Sequence, residues 1–339
     1  MLRLPTFELA EPTTAEAAVA LLAEHGDAAM LLAGGTDLVP NLKHELFTPK
    51  LVVSLARIPE LAGMRVEADG TLVVGAMTRL DELARDERVR AHAPALAQAA
   101  GLVAGPQLRR MGTLGGNVML DTRCQWYNQT YFWRSALGFC LKKDGTACHV
   151  VAGGANCVAA ASNDTAPALL TLAAELVFLG PAGRRVLAID ALYDHDGIYN
   201  KTVKGELLVA VRIPPTPAGH RGAYGKLRER GSIDFPLLGV AARLDLGPDG
   251  VVTRAELAAV ALQARPLRLK KAAQVLLGKR AAAPEFAAAA AEAGELAHRQ
   301  CHPLANIPGD PDYRREMVPV YVRRTVLAAA HGTGPVHHL

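Results

Sequence analysis

Aromatic residues, net charge and long apolar runs are all scarce in this chain of 339 residues. Aromatic side chains make up only 5% of it. Much of the 50% hydrophobic content is instead alanine, which favours helices. The net charge of +4 is too small and dispersed to indicate a nucleic-acid or membrane surface. No apolar run reaches the roughly 18 residues of a membrane helix, and no secretory leader pattern opens the chain. We therefore expect a cytoplasmic globular protein.

The common catalytic motifs are also missing. The few serines include none in a G-x-S-x-G nucleophile elbow. No P-loop, no H-E-x-x-H zinc motif and no G-x-G-x-x-G dinucleotide motif occurs. A Rossmann dehydrogenase and a P-loop ATPase are therefore poor interpretations of this sequence.

The order of apolar patterns predicts a mixed α+β architecture. Two small α/β units are expected at approximately 1–58 and 59–217, joined by the proline-rich segment 214–219 to an α+β unit at 218–330. Residues 331–339 are expected to be a tail. The patterns predict a helix over 13–25 that begins at Thr13 or Thr14, helical residues 80–100 with one break at Pro94, and a helix near 267–277.

Two glycine pairs are the first candidate binding segments. Residues 33–37 (Ala-Gly-Gly-Thr-Asp) follow a predicted strand, and residues 113–117 (Thr-Leu-Gly-Gly-Asn) have the same character. Consecutive glycines turn without a Cβ clash and can point successive N–H groups at phosphate oxygens. One such pair is usually only a tight turn. Two pairs flanked by threonine indicate a dinucleotide held outside a Rossmann fold, and FAD is the candidate.

These segments resemble the FAD-binding medium subunit of the xanthine oxidase family of molybdenum hydroxylases. The resemblance runs nearly the whole length and includes residues 31–38, 112–117, 163–169 and 224–240. It implies a PCMH-type FAD-binding fold, like that of vanillyl-alcohol oxidase, over 1–217, and a C-terminal domain like that of the carbon monoxide dehydrogenase flavoprotein. The implied FAD contacts are Leu32, Ala33, Gly34, Gly35, Thr36, Asp37, Val103, Thr113, Gly115, Gly116, Asn117, Asp164 and Lys226.

Two of these contacts carry specific roles by resemblance. Asp164 is implied to bond the flavin or its ribityl chain, and Lys226 to lie near the ring. The segment around Asp164 departs from the family's Gly-Asp-Pro-Ala form, because Asn163 replaces glycine and Thr165 replaces proline.

Four of the five cysteines lie within one short stretch. They are Cys124, Cys140, Cys148 and Cys157, with Cys301 elsewhere. In a cytoplasmic chain, clustered thiols indicate metal or redox groups before disulfides. Structural zinc usually uses a close C-x2-4-C pair, and none is present here. A [4Fe–4S] cluster tolerates more widely spaced thiolates, so the spacing favours iron–sulfur over zinc.

The composition of this stretch suggests two further properties. Both tryptophans, Tyr127, Tyr131, Phe132 and Phe139 lie in it, which predicts a small core of its own and an aromatic jacket around a cluster. Arg134, Lys142 and Lys143 outnumber Asp144, which favours an anionic cluster or an acidic redox partner. His149 is expected to be structural or to support a ligand rather than to be one.

Within the family, this stretch is similar to the β subunits of 4-hydroxybenzoyl-CoA reductases. The similarity lies in residues 123–129, 133–134, 138–142 and 148–151. That group carries an extra [4Fe–4S] cluster in its flavin subunit, which implies a cluster loop at 122–160 with all four cysteines as ligands. Cys301 then has no role.

The similarity also implies partners and a direction of electron flow. A large subunit would hold the molybdenum cofactor and a small subunit two [2Fe–2S] clusters, in a dimer of heterotrimers. Reduced ferredoxin would supply electrons that pass through [4Fe–4S] and FAD to remove the ring hydroxyl of 4-hydroxybenzoyl-CoA. The chain itself would hold cofactors and do no acid–base work on the substrate.

Two alternatives stay open at this point. One is the flavin and [4Fe–4S] subunit of a related hydroxylase or aldehyde oxidoreductase with outward electron flow. The other is a non-redox module whose cysteines hold zinc.

Overall fold

The structure is a computed structural model describing residues 2–198 and 203–337. Three β-sheets follow one another along this part of the chain. The first is a parallel sheet with strand order β1-β3-β2. Its unit contains β1 (Glu8–Ala10), α1 (Ala15–His25), β2 (Ala29–Leu32), α2 (Leu38–Lys43) and β3 (Leu51–Ser54). The predicted start of α1 is confirmed, because the Thr14 hydroxyl accepts a hydrogen bond from the Ala17 N–H.

The second unit is built on an antiparallel sheet with the order β4-β5-β8-β6-β7. Its strands are β4 (Met64–Val66), β5 (Leu72–Gly75), β6 (Glu175–Gly180), β7 (Gly183–Ala188) and β8 (Leu207–Ile213). Its helices are α3 (Leu80–Arg85), α4 (Glu87–His92), α5 (Pro94–Leu102), α6 (Pro106–Arg109), α7 (Leu114–Val118), α8 (Tyr131–Ala136) and α9 (Thr165–Thr171). The long excursion between β5 and β6 therefore carries both the second glycine pair and the cysteine stretch.

The third unit packs helices on an antiparallel sheet of order β12-β11-β10-β9. Its elements are β9 (His220–Leu227), β10 (Leu238–Leu246), β11 (Val252–Val260), β12 (Leu267–Arg268), α10 (Lys270–Gln274), α11 (Phe286–His298) and α12 (Pro311–His331). This unit is therefore α+β, as the sequence predicts.

Shared hydrophobic cores join the units. Leu179, Leu207 and Val209 of the second sheet pack with the core of the first unit. Tyr224 and Ala241 of the third sheet belong to the core of the second. Because apolar side chains of adjoining units are buried together, the positions of the segments between them are fixed by packing.

Three local predictions were wrong. The helical stretch 80–100 breaks at Asp86 as well as before Pro94, because the Asp86 carboxylate accepts the N–H groups of Arg88 and Val89 and starts α4. The expected helix at 267–277 begins with the two residues of β12, which pair with β11, and leaves only the short α10. The second glycine pair lies inside α7 rather than in a turn.

Candidate functional site

The two glycine segments lie against each other. A Cβ atom on Gly34 would lie 1.8 Å from the backbone oxygen of Met111, and one on Gly112 would lie 3.4 Å from Thr36 Oγ1. Gly35 has a φ of +73°, in the left-handed region that glycine adopts without strain. The glycine at position 34 is therefore required by the close approach of the second segment, and that at 35 by the turn.

The second segment starts a short helix. The Thr113 hydroxyl caps α7 by accepting the Gly116 N–H at 3.0 Å. A Cβ on Gly115 would lie 2.7 Å from that of Ala76, so this glycine allows α7 to touch the residue that follows β5. Asn117 Oδ1 accepts both the backbone N–H (3.0 Å) and the hydroxyl (2.6 Å) of Thr165. Thr165, where the family pattern has proline, thus ties the third segment to the second.

The remaining predicted FAD residues fall into two groups by burial. Residues 32–37, Val103 and Gly116 are partly or fully exposed, so a ligand can reach them. Asp164 and Lys226 are 2% and 0% exposed. The structure therefore separates a reachable set from a buried pair.

The buried pair is saturated with protein contacts. Lys226 Nζ donates to Asp164 Oδ2 at 3.2 Å, to the Leu102 carbonyl at 2.9 Å and to the Asp234 carbonyl at 3.2 Å. The Tyr224 hydroxyl donates to Asp164 Oδ1 at 2.8 Å. Burial raises the pKa of the Asp164 carboxyl, and the Lys226 charge opposes that rise. Through these contacts the pair fixes the carbonyl next to Val103. All three Lys226 protons are used, whereas the Asp164 carboxylate accepts two bonds and has lone pairs for a further donor.

All four cysteines of the loop line one cavity. Trp126, Tyr127, Lys142 and His149 line it too, and part of it is open to solvent. The sequence predicted that these thiols act together, and the fold brings them around this space. Within the described residues, no three His, Cys, Asp or Glu side chains lie close enough together to hold a single metal ion.

The loop cysteines form no disulfide, and backbone N–H groups point at the sulfurs of two of them. The Ala159 N–H points at Cys157 Sγ and the Val151 N–H at Cys148 Sγ, each at 3.4 Å. Burial raises the pKa of Cys124 to about 11 and raises that of Cys157. Metal binding would have to release these protons, and N–H groups directed at sulfur favour the thiolate.

A glycine outside the loop closes the cavity. A Cβ on Gly197 would lie 2.7 Å from Cys157 Sγ, and the Gly197 N–H donates to the Cys157 carbonyl at 2.8 Å. The cavity wall thus depends on a residue well beyond the predicted loop limit of 160. Sequence reasoning missed it, since no local signal links this glycine to a cysteine.

Two of the three loop cations point inward, so they offer little basic surface to the acidic redox partner considered from the sequence. The side chains of Arg134 and Lys142 are 1% and 6% exposed. Arg134 donates to the carbonyls of His44 and Glu45 in the first unit. Only Lys143 is substantially exposed, and it pairs with Asp144. These cations therefore hold the loop together instead of presenting a basic docking face.

The aromatic jacket is also only partial. Tyr127 is buried, and Trp126 lies 6.0 Å from Trp133 and 5.4 Å from His149 between ring centroids. Phe132 is 82% exposed. The structural role expected for His149 agrees with its bond to the Phe139 carbonyl at 2.5 Å. Cys301 is buried away from the loop cysteines in the core of the third unit, and burial raises its pKa to about 12.

One arginine links the two candidate sites. Arg123, which precedes Cys124, donates to Asp37 Oδ1 at 2.7 Å and lies 4.3 Å from the Phe235 ring centroid. Its backbone N–H and C=O both pair with Ala160. The glycine turn and the cysteine loop are therefore joined by a direct ion pair. The sequence offered no signal for this contact, because its members are 86 residues apart.

No helix in the described ranges is long and apolar enough to cross a membrane.

Comparison with known proteins assigns both halves of the chain. Residues 5–216 match the family described as "FAD binding domain in molybdopterin dehydrogenase", and residues 223–329 match "CO dehydrogenase flavoprotein C-terminal domain". The carbon monoxide dehydrogenase medium chain of Hydrogenophaga pseudoflava is 32% identical over 96% of this chain and 97% of its own length. The aldehyde oxidoreductase FAD-binding subunit PaoB of Escherichia coli is 35% identical over 70% of this chain and 76% of its own.

A solved structure gives the same result. A chain of the Hydrogenophaga pseudoflava carbon monoxide dehydrogenase that lacks the Mo-pyranopterin moiety matches with a TM-score of 0.78 at 30% identity. The match covers 97% of this chain and 99% of that one. It confirms the predicted α+β FAD-binding fold with its C-terminal domain.

Proposed function

This chain belongs to the FAD-binding medium subunits of the molybdenum hydroxylase family, and from that premise we propose that it is the FAD and [4Fe–4S] subunit of a 4-hydroxybenzoyl-CoA reductase. Family membership makes it an FAD-binding oxidoreductase subunit and sets aside a non-redox zinc module. The finer assignment rests on the cysteine loop. Its carrying observation is the single cavity lined by Cys124, Cys140, Cys148 and Cys157.

The donor set around the cavity supports this proposal. No three described His, Cys, Asp or Glu side chains lie close enough together to hold a single ion, whereas a [4Fe–4S] cluster takes one thiolate on each of four irons. Here four free thiols surround a space that the backbone approaches closely at Gly197, so that a Cβ atom there would meet Cys157. The four thiols would hold the cluster one to each iron. When bound, the cluster would transfer single electrons. FAD would exchange electrons either one or two at a time.

The protein's own contribution is position and charge. Residues 32–37, Thr113 and residues 115–117 would hold FAD, with Val103 near it and with Asp164 and Lys226 fixing the surrounding carbonyls. The Arg123–Asp37 pair would hold the two cofactors in a constant relation. We further propose domain limits of 1–217, 218–330 and a tail at 331–339, which the two family matches support.

The proposed assembly contains a molybdenum-bearing large subunit and a small [2Fe–2S] subunit, as a cytoplasmic dimer of heterotrimers. Electrons would enter from ferredoxin. Arg134 and Lys142 are buried, so on the cysteine loop this donor would meet the exposed Tyr131 and Phe132 of α8.

A second candidate is the flavin subunit of an aldehyde oxidoreductase with outward electron flow. The 35% identity to the Escherichia coli subunit favours it. The purified complex separates the two. Reduction of its flavin by an aromatic aldehyde supports the oxidoreductase, whereas consumption of 4-hydroxybenzoyl-CoA with a reduced low-potential donor supports the reductase.

The cofactor assignment is tested by anaerobic purification of the complex and analysis of iron, acid-labile sulfide and FAD. We expect about four irons and four sulfides assigned to this chain beyond those of the small subunit. Cys140→Ser should lose them and keep FAD, whereas Cys301→Ser, the buried cysteine outside the cavity, should keep both. Zinc in place of iron, or an unchanged iron content in Cys140→Ser, would refute the assignment.

A further inference from the structure

Lys142 is a buried cation in the wall of the cysteine cavity. It lines the cavity together with the four cysteines, and its side chain is 6% exposed. Its Nζ also lies 4.7 Å from the ring centroid of Tyr127, another lining residue. The ammonium group is therefore held beside the thiols in a place that solvent barely screens.

Three oxygen atoms fix the Lys142 ammonium. Nζ donates to Asp121 Oδ1 at 2.9 Å, to Thr122 Oγ1 at 2.5 Å and to the Gly197 carbonyl at 2.7 Å. Only Asp121 carries a charge, and its side chain is 29% exposed. Solvent therefore screens the Asp121 carboxylate more than it screens the Lys142 ammonium, which is the member of the pair that lines the cavity.

The next residue provides a natural comparison. The Lys143 side chain is 40% exposed and lies 3.4 Å from the equally exposed Asp144 carboxylate. It carries the same charge one position further along the chain and is not among the lining residues. Solvent and Asp144 together screen it.

A fixed buried cation favours the more negative redox state of a neighbouring group. Reduction of a thiolate-bound cluster adds one electron from an external reductant and one unit of negative charge, with no proton required. Charge and burial near a cluster are known levers on its potential. We propose that Lys142 is a positioning residue whose buried charge raises the reduction potential of the group held by the four loop cysteines. The inference rests on the proposed function, because it needs that group to be present.

The test compares Lys142→Met with Lys143→Met in the purified complex. Each variant is titrated with dithionite and mediators while the visible absorption and the electron paramagnetic resonance of the reduced cluster are followed. We expect Lys142→Met to lower the reduction equilibrium constant about tenfold, which is about 59 mV for a one-electron couple. Lys143→Met should shift it far less, and Lys142→Arg should restore most of the wild-type potential.

Replacing Asp121, the ion-pair partner of Lys142, is an independent test in which the reduction potential should shift the opposite way. Asp121→Asn removes the charge that partly neutralises Lys142, so the potential should rise instead of fall. If Lys142→Met fails to hold its cluster, the shift measured in Asp121→Asn tests the effect of this charge instead. An unchanged or lowered potential in Asp121→Asn, or equal shifts in the two lysine variants, would overturn the inference. A wild-type chain without iron and sulfide would instead overturn the proposed function, and the inference with it.

Discussion

Replacing Lys226 by methionine should strongly destabilise the protein. The substitution keeps the apolar stem but leaves the Asp164 carboxylate buried with the Tyr224 hydroxyl as its remaining side-chain partner. Breaking a buried ion pair on one side costs about 3–5 kcal/mol. Two carbonyls, those of Leu102 and Asp234, lose the same donor. We therefore expect a loss of about 4 kcal/mol, a large share of the roughly 5–15 kcal/mol of a typical domain.

The pH dependence of this loss has a definite sign. Burial already raises the pKa of Asp164 in the wild type, and removing Lys226 raises it further. A carboxyl whose folded pKa exceeds its unfolded value binds its proton more tightly when folded, so stability falls as pH rises through the folded pKa. The difference between Lys226→Met and wild type should therefore be larger at about pH 8 than at about pH 5.

Urea unfolding of the purified chain, followed by far-UV circular dichroism, measures both effects. Lys204→Met is the matched control, because Lys204 forms its pair with Asp27 where both side chains are 84% exposed, and little change is expected. The double variant Lys226→Met/Asp164→Asn should regain about 2 kcal/mol by removing the unpaired charge. A loss below about 1 kcal/mol, or a double variant as unstable as the single one, would refute the reasoning.

Three further predictions concern other contacts. Gly34→Ala should abolish FAD binding, measured as flavin absorbance per chain, because its Cβ would meet a backbone oxygen at 1.8 Å, whereas Gly101→Ala, whose nearest neighbour is 3.6 Å away, should bind FAD normally. Arg123→Gln should lower stability by about 1–2 kcal/mol, and a double-mutant cycle with Asp37→Asn should show a coupling of about 1 kcal/mol; additive losses would contradict a direct pair. Arg314→Met should cost about 3 kcal/mol or more in urea unfolding, because three backbone carbonyls lose a donor from a fully buried side chain, and a loss below about 1 kcal/mol would show that the bonds contribute little.

The order of secondary structure was readable because its signals are local. Thr14 caps α1 with its own hydroxyl, and the apolar run 207–213 forms β8. The errors arose where a long-range partner or a single side chain decided the outcome. Asp86 ends one helix and caps the next, and residues 267–268 pair with a strand instead of starting a helix.

The sequence predicted which types of residue form the candidate sites. It did not predict how their side chains contact one another. Glycine pairs and clustered cysteines indicate their chemistry through composition alone. The sequence could not show that Asp164 and Lys226 form a buried ion pair, or that Arg134 of the loop faces inward. Those outcomes depend on which side chains packing leaves in water.

By itself, the sequence determined the family, the two domains' likeness to flavoprotein subunits and the set of four cysteines, because these are carried by short motifs at fixed spacing. Only the tertiary structure decided that Arg123 joins the cysteine loop to the glycine turn and that Gly197 closes the cavity. It also decided that Lys142 is buried while Lys143 is exposed. The physical reason is that burial and long-range pairing are properties of the packed chain, and two adjacent lysines with the same local signal can meet opposite surroundings.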